Sequence, residues 1–262
     1  MKLIEDELIA VNKQLSNISI GNEHLEAPLN IFLSGGSKRI RTNIASLYLK
    51  ALGCNISQDS IKIMTAGEII HNASLLHDDV IDGAKIRRGK STFAEEFSPY
   101  ISILAGDYLL SAATELLLEV KNSNVLKIFL SCTKQMCSSE INQFFLRGNK
   151  PELADYIKIC EGKTAALFEA VMCSCAMIEG VSSDKTREFA RNFGVLFQLK
   201  NDLETCSAKT DADNKIFTPK DFLGIEKTID LIDNYQRKLQ ELVNSFPDNI
   251  YKKGMESLLS KL

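Results

Sequence analysis

Residues 68–82 read EIIHNASLLHDDVID, a stretch that neither proline nor glycine interrupts. Apolar residues dominate its first part, and three carboxylates, Asp78, Asp79 and Asp82, fall within its last five positions. On a helix, Asp78 and Asp82 share one face because they are four residues apart, and His71 lies two turns earlier on the same stripe. The pattern predicts a buried helix that presents three carboxylates at its end.

Three carboxylates this close together repel one another, so something must offset their charge. A solvated acidic patch is one reading. The apolar residues before the cluster favour another, in which the aspartates stand at the mouth of a buried region and bind a hard divalent cation, which takes oxygen ligands. Magnesium normally keeps several waters and uses one or two carboxylates plus substrate phosphates. The cluster therefore predicts a magnesium site formed by Asp78, Asp79 and Asp82.

The rest of the chain repeats the helical pattern. Five prolines and fourteen glycines punctuate 262 residues, and the long intervals between them carry apolar residues at helical spacing. The segments 101–120 and 161–178 are apolar on most of their circumference, which is typical of helices buried in a large core or against a partner. We interpret 101–120 as a buried core helix. With no repeat or linker, residues 1–262 are predicted to form a single all-α domain.

The bulk composition excludes several functions. A net charge of −3 argues against a general nucleic-acid binder, which usually has a strongly basic domain. The seven cysteines and three histidines lack the spacing of a zinc site, and such cysteine usage is typical of reduced thiols in a cytoplasmic protein. No apolar run reaches the length of about 18 residues that a membrane span requires. We therefore expect no nucleic acid, no transmembrane segment and a cytoplasmic location.

Basic residues lie on both sides of the aspartate cluster and again far downstream. The stretch 83–92 reads GAKIRRGKST, 34–42 reads SGGSKRIRT, and 161–168 reads EGKTAALF. Each alone is typical of solvated surface. Beside a magnesium cluster they favour a substrate with several phosphate oxygens, which arginine contacts through forked donors and lysine as a point charge. Neither GxxxxGKS/T nor GxGxxG occurs, so these are not the common nucleotide-binding loops.

From about residue 34 to about residue 228 the chain resembles the trans-isoprenyl diphosphate synthase (polyprenyl synthetase) family. HDDVID followed by RRGKST is the most specific part, and GSKRIRT is similar to the family's GGKRxRP. AGDYLLSAA, GKTAALF and GVLFQLKND follow in the expected order. The resemblance implies an all-α, single-domain, isoprenoid-synthase-type helical bundle around a deep central cavity, usually assembled as a homodimer.

The reaction of the family is head-to-tail prenyl transfer. An allylic diphosphate ionises, isopentenyl diphosphate attacks the carbocation, and loss of a proton leaves a chain longer by one isoprene unit. The resemblance therefore implies a prenyltransferase that uses these two substrates and two or three Mg2+ ions. The released diphosphate is the expected base, since no side chain of the motifs is clearly suited to that role.

The resemblance also assigns roles to individual residues. Asp78 and Asp82 would hold the magnesium ions that bridge the allylic diphosphate, supported by Asp79. Three basic side chains would contact that diphosphate: Arg87, Lys215 and Lys227. Four residues would hold isopentenyl diphosphate: Lys38, Arg41, His71 and Arg88. Three more would lie near the reacting carbons: Lys163, Thr164 and Gln198.

The second aspartate motif of the family, DDxxD, is eroded here to NDLET at 201–205. Only Asp202 keeps a carboxylate at a motif position, so a third magnesium ion would be bound more weakly, or through Asp202 and Glu204 in altered geometry. The same stretch also matches the first positions of the class I terpene cyclase metal motif, but Lys209 stands where glutamate is expected. Two alternatives to an active synthase follow: a non-catalytic prenyl-diphosphate-binding subunit of a heteromeric synthase, and a class I terpene-cyclase-like enzyme.

Two small residues, Ala73 and Ser74, precede the first cluster by about one turn. Side chains there point back along the helix, and in a synthase they would face the cavity that receives the growing chain. Members that make short products tend to have aromatic rings at these positions. Small residues therefore predict a product longer than three isoprene units, such as a quinone-tail precursor. The alternative is that they only permit close helix packing.

Overall fold

The computed structural model describes residues 2–35, 38–204 and 216–261. They group into two units, an N-terminal unit (Met1–Ser46 with Ile56–Leu126) and a C-terminal unit (Leu47–Asn55 with Lys127–Leu262). The structure is 79% helix and 2% strand, so the predicted all-α class is confirmed. That residues 1–262 form a single domain stays a prediction.

Helices follow one another along the chain through short connections. The first are α1 (Glu5–Leu15, after a 3-10 turn at Lys2–Ile4), α2 (Glu23–Ser34), α3 (Ile40–Ala51), α4 (Gln58–Ile81), α5 (Phe93–Glu96) and α6 (Pro99–Glu119). A two-stranded antiparallel ribbon, β1 (Ile86–Arg87) with β2 (Lys90–Ser91), lies between α4 and α5. The later elements are α7 (Ser123–Leu146), α8 (Leu153–Cys160), a π-helical segment (Glu161–Ala165), α9 (Ala166–Ile178), α10 (Ser183–Glu204), α11 (Pro219–Phe222), α12 (Ile225–Asn244) and α13 (Ile250–Lys261).

The long helix α4 is the centre of the N-terminal unit, and most of its turns are buried. It packs along α6, where the Ser102 hydroxyl donates to the Leu76 carbonyl over 2.9 Å. The two helices approach closely at Gly106. A β-carbon at this position would lie 2.2 Å from Nε2 of His77, so a larger residue would displace the imidazole. The predicted buried helix with carboxylates at its end is therefore confirmed.

A buried ion pair joins the basic stretch before α3 to α4. The Arg39 guanidinium lies 3.6 Å from the Glu68 carboxylate, and both side chains are almost fully buried. Glu68 also accepts hydrogen bonds from the amide (3.3 Å) and the hydroxyl (3.1 Å) of Thr42. Arg39 donates to the Leu33 carbonyl over 2.5 Å. Because a buried charge is tolerated only when it is paired and hydrogen-bonded, this network fixes the path of the basic stretch.

Within the C-terminal unit, α10 packs closely against the π-helical segment and α9. A β-carbon at Gly194 would lie 2.4 Å from the Cα atom of Ala165, so only glycine allows this approach. The rings of Phe168 and Phe193 meet edge to face, with centroids 5.1 Å apart. Ten of the thirteen residues of α9 are buried, which confirms the burial expected for the apolar segment 161–178.

The position of α6 differs from the sequence interpretation. Only 33% of its most apolar 18-residue window is buried, and Tyr100, Leu104 and Leu118 are 79%, 62% and 57% exposed. The interpretation of 101–120 as a buried core helix is therefore wrong, because an all-round apolar pattern does not reveal what covers each face. By length and composition alone, α6 could also cross a membrane, a criterion that core helices of soluble proteins meet as well.

Candidate active site

The first aspartate cluster lies in the last turn of α4. Asp79 is 1% exposed, whereas Asp78 and Asp82 are partly exposed. Nε of Arg87 donates to Oδ1 of Asp79 over 2.7 Å. Burial raises the pKa of Asp79, and the positive charge of Arg87 opposes that shift. The chain itself therefore pairs Asp79, and the two partly exposed aspartates are the candidates for contact with ligands.

The donors of this cluster suit a hard divalent cation, which binds carboxylate oxygens, waters and phosphates. Oδ2 of Asp79 is buried and has no hydrogen-bond partner among the described residues, and such an atom is normally satisfied by a cation or an ordered water. Over the three described ranges, no three His, Cys, Asp or Glu side chains converge into a group that could hold a metal ion. The oxygen donors of Asp78 and Asp82 therefore suit magnesium.

The RRGK stretch forms the turn of the β1–β2 ribbon. After Arg87, the next two residues, Arg88 and Gly89, have left-handed φ angles of 51° and 77°. Consecutive positive φ values are the signature of the type I′ turn that two-residue hairpins favour. The turn gives adjacent arginines different partners: Arg87 pairs with Asp79, whereas Arg88 is exposed and donates to the Gly35 carbonyl over 3.2 Å.

His71 lies on α4 among several arginines. Burial lowers the pKa of His71 well below its ordinary value, and neighbouring guanidinium charges, first those of Arg41 and Arg88, lower it further. The imidazole is therefore neutral at physiological pH, with one nitrogen as donor and the other as acceptor. The structure thus brings together three of the four residues predicted to hold isopentenyl diphosphate, while Lys38 is exposed at the start of the basic stretch.

In the C-terminal unit, Lys163 lies in the π-helical segment between α8 and α9, a rare conformation that is frequent at functional sites. Its ammonium group contacts the Glu140 carboxylate and donates to Oε1 of Gln143 over 3.0 Å, both on α7. Gly162 allows the π-helical segment to lie close to α7, since a β-carbon there would lie 1.8 Å from the Ser139 hydroxyl oxygen. The ammonium group of Lys163 is therefore held in a defined position.

A string of hydrogen bonds connects the same segment to α10. The Thr164 hydroxyl donates to Oε1 of Gln198 over 2.8 Å, and Nε2 of Gln198 donates to Oδ1 of Asp202 over 2.8 Å. Oδ2 of Asp202 accepts from the Tyr156 hydroxyl over 2.5 Å. Burial raises the pKa of Tyr156 well above its ordinary value, so this hydroxyl keeps its proton. We name these four residues the Thr164–Tyr156 string.

The other predicted residues have fewer described contacts. Lys227 is exposed in the first turn of α12, and Lys215 lies outside the described residues. Ala73 is fully buried, whereas Ser74 is partly exposed and its hydroxyl donates to the His71 carbonyl over 2.9 Å. The sequence interpretation missed three residues, which belong to none of the recognised motifs: Glu140, Gln143 and Tyr156.

Comparisons of sequence place these motifs in a wider context. The family model described as Polyprenyl synthetase matches residues 22–257. Octaprenyl diphosphate synthase of Haemophilus influenzae is 34% identical over 217 residues, which cover 80% of this chain and 65% of that protein. Solanesyl-diphosphate synthase 2, chloroplastic, of Oryza sativa subsp. japonica is 31% identical over 215 residues, covering 78% of this chain and 53% of that protein. The chain spans less than two thirds of the length of these two curated relatives.

Solved structures share the fold. A heptaprenyl diphosphate synthase from Staphylococcus aureus matches with a TM-score of 0.89 at 23% identity, covering 98% of this chain and 97% of that one. A polyprenyl synthase from Caulobacter crescentus CB15, in complex with calcium and isoprenyl diphosphate, matches with a TM-score of 0.87 at 25% identity, covering 98% and 94%. These matches confirm the predicted isoprenoid-synthase-type fold.

Substitution of Arg87 by alanine should leave Asp79 as an unpaired buried carboxylate. Breaking a buried pair from one side costs about 3–5 kcal/mol, and because the Arg87 side chain is 29% exposed we expect about 2 kcal/mol. Without Arg87 the pKa of Asp79 rises further, so the folded chain retains a proton that the unfolded chain releases. The loss in the free energy of unfolding, measured in urea, should therefore be small near about pH 4 and grow towards neutral pH.

Two further variants make this measurement specific. Lys85→Ala removes an exposed cation from the same loop and should change stability by about 0.5 kcal/mol or less. The double variant Arg87→Ala/Asp79→Asn removes the carboxylate as well, so it should lose the pH dependence of the deficit. A deficit of equal size at pH 4 and pH 7 would contradict the buried ion pair.

Proposed function

The chain belongs to the polyprenyl synthetase family, and we propose that it is a trans-prenyltransferase that condenses isopentenyl diphosphate with an allylic diphosphate. The product would be a longer trans-polyprenyl diphosphate. The observation that carries the proposal is the arrangement at the end of α4, where a complete aspartate cluster lies beside Arg87 while Arg41 and Arg88 approach the neutral His71. The names of the relatives, octaprenyl and solanesyl diphosphate synthase, support it.

The allylic diphosphate would bind at the aspartate cluster. Magnesium, when bound, supplies neutralisation of the diphosphate oxygens as the allylic C–O bond breaks, and Asp78 and Asp82 would hold it. Arg87 is already fixed by its bond to Asp79. Its guanidinium therefore needs no rearrangement when charge develops on the leaving group, which is the condition for strong electrostatic stabilisation.

The isopentenyl diphosphate would bind among the remaining basic residues of the N-terminal unit. Arg41 and Arg88 offer forked donors to phosphate oxygens. His71 is neutral, so it adds a hydrogen-bond donor without the cost of removing another charge from water. Lys38 would add a point charge from the exposed start of the stretch. The proposal gives five further residues the roles that the family motifs imply: Lys163, Thr164, Gln198, Lys215 and Lys227.

A direct assay tests the activity. The purified chain, incubated with magnesium, isopentenyl diphosphate and geranyl or farnesyl diphosphate, should release longer prenyl diphosphates that mass spectrometry detects. Asp78→Ala should lower kcat by about a hundredfold or more, the scale seen when one electrostatic contact to a developing charge is lost. Asp6→Ala, which removes an exposed carboxylate from α1, should leave kcat unchanged.

The same assay separates the alternatives. A terpene hydrocarbon or alcohol formed without isopentenyl diphosphate would support the cyclase-like enzyme. Turnover that appears only when a second prenyltransferase subunit is added would support the non-catalytic subunit. Full activity of Asp78→Ala would overturn the proposed role of the aspartate cluster.

We also propose that the product is longer than three isoprene units. Two small residues, Ala73 and Ser74, precede the cluster by about one turn, and the relatives named above carry long-chain product names. Ala73 is fully buried, so a ring there would overpack the helix and cost about 1–3 kcal/mol. Ser74 is partly exposed and is the better position for a test.

Enlarging Ser74 should shorten the product in steps. Ser74→Leu should shift the mass distribution of the products by about one isoprene unit, and Ser74→Phe by more, because a larger side chain fills more of the space for the growing chain. Ser74→Ala, which removes the hydroxyl without adding volume, should leave the distribution unchanged. If Ser74→Phe gives the wild-type distribution, the growing chain runs elsewhere.

We propose that the chain forms a homodimer through the exposed face of α6. Monomers rarely expose large contiguous apolar patches, and α6 exposes Tyr100, Leu104 and Leu118. Leu104→Glu should therefore convert dimers to monomers in sedimentation velocity at micromolar concentration. Ile9→Glu is a matched control, since Ile9 is 59% exposed on α1. A monomeric wild type, or a variant that remains dimeric, would exclude this interface, and binding of the wild type to lipid vesicles would assign the face to a membrane.

A cytoplasmic location is part of the same proposal. The six cysteines in the described part of the chain are free thiols, and free thiols persist in reducing compartments. The absence of nucleic-acid binding is also expected from the net charge of −3. Fractionation of cells that express the chain, with thiol labelling before lysis, tests the location, and a chain with oxidised cysteines would contradict it.

A further inference from the structure

The Thr164–Tyr156 string has a fixed direction. An ionised carboxylate only accepts hydrogen bonds, so Gln198 must present its amide nitrogen to Oδ1 of Asp202 and its carbonyl oxygen to Thr164. The Thr164 hydroxyl, in a residue that is 8% exposed, must then donate to that carbonyl. The lone pairs of Thr164 Oγ1 are consequently directed away from Gln198.

Tyr156 fixes the other end of the string. The residue is 7% exposed, and its ring packs edge-on against Phe222 with centroids 5.9 Å apart. Its hydroxyl and the Gln198 amide hold different oxygens of the Asp202 carboxylate, and they come from α8 and α10. The carboxylate therefore cannot rotate without breaking one of the two bonds.

Metal binding suits Asp202 poorly. Asn201 and Leu203 beside it are neutral, and Glu204 is the one other carboxylate of residues 201–205, whereas the first cluster combines three carboxylates. Both oxygens of Asp202 already accept a hydrogen bond, one from Tyr156 and one from Gln198, which leaves fewer of their lone pairs for a metal ion. The described residues around Asp202 thus fit a hydrogen-bonding role better than a third magnesium site.

We propose that Asp202 and Tyr156 are positioning residues, which act through Gln198 on Thr164, and that Asp202 is not a magnesium ligand. The inference rests on the proposed prenyl transfer and deepens it. Positive charge develops on the allylic carbon as diphosphate departs, and a fixed dipole with its negative end towards that charge stabilises it without reorganisation. The family role of Thr164 lies near the reacting carbons, where the lone pairs of its Oγ1 would form such an end, and the carboxylate of Asp202 would set their direction.

Two conservative variants test the string through kinetics. Tyr156→Phe keeps the ring and removes the donor, and Asp202→Asn keeps the shape but allows the amide groups to reverse direction. Each should lower kcat roughly tenfold, the scale of one hydrogen bond, while the KM values for both substrates stay within about twofold. The double variant should be no worse than either single variant, because both break the same string. Additive losses, or changes confined to KM, would overturn the positioning role.

Tyr48→Phe is the matched control. Tyr48 is buried in the same unit, and its hydroxyl forms a hydrogen bond with Thr186 over 3.0 Å. The substitution removes a comparable buried hydrogen bond, so its Tm should fall as much as that of Tyr156→Phe while kcat stays at the wild-type value. An equal loss of kcat in Tyr48→Phe would show that the string contributes only stability, and would overturn the proposal.

Counting bound Mn2+ tests the metal claim without turnover. Electron paramagnetic resonance, with Mn2+ and inorganic diphosphate as probes, should give the same number of ions for wild type and Asp202→Asn and a smaller number for Asp78→Asn. Loss of an ion in Asp202→Asn would overturn the inference. Failure of the wild type to elongate any allylic diphosphate would overturn the proposed function instead, and the Mn2+ count would still decide whether Asp202 binds metal.

Discussion

The buried carboxylate of Asp79 is the constraint on which the N-terminal site depends. Removing a carboxylate from water is unfavourable unless a cation and hydrogen bonds replace the solvent. Arg87 provides the positive charge and a hydrogen bond, with its Nε 2.7 Å from Oδ1 of Asp79. The tight turn at Arg88 and Gly89 returns the chain towards α4. The same turn directs the two arginines of one dipeptide to different partners, so a single ion pair determines where both basic groups lie.

A second buried carboxylate, Glu68, applies the same rule three turns earlier on α4. Its partners Arg39 and Thr42 come from the basic stretch before α3. Two loops are thereby attached to one helix by buried charge, and His71, between the two attachment points, is surrounded by guanidinium groups. Burial, together with their charges, lowers the pKa of His71 and keeps its imidazole neutral. Several guanidinium groups around a neutral hydrogen-bond donor are complementary to a ligand that carries several negative charges, such as a diphosphate.

The sequence could predict α4 and its carboxylate end because apolar period and aspartate spacing depend on contacts within one helix. It could not reveal the pairs formed between separate elements. Asp79 and Arg87 are 8 residues apart and meet only because of a turn whose Arg-Gly sequence is not the usual Asn-Gly signal. Tyr156 and Asp202 are 46 residues apart, and no motif links them. The sequence also could not predict that one face of α6 is exposed, since the composition of a helix does not show which elements pack against it.

The two acidic motifs differ in what compensates their charge. In the first, a guanidinium pairs with Asp79, and two partly exposed aspartates contribute further negative charge beside it. In the second, neutral donors from Tyr156 and Gln198 hold the oxygens of Asp202, and Gln198 accepts in turn from Thr164. A carboxylate held by neutral donors can direct dipoles without any metal. In the proposed reaction, the first motif would supply charge for a diphosphate, and the second would orient a hydroxyl dipole.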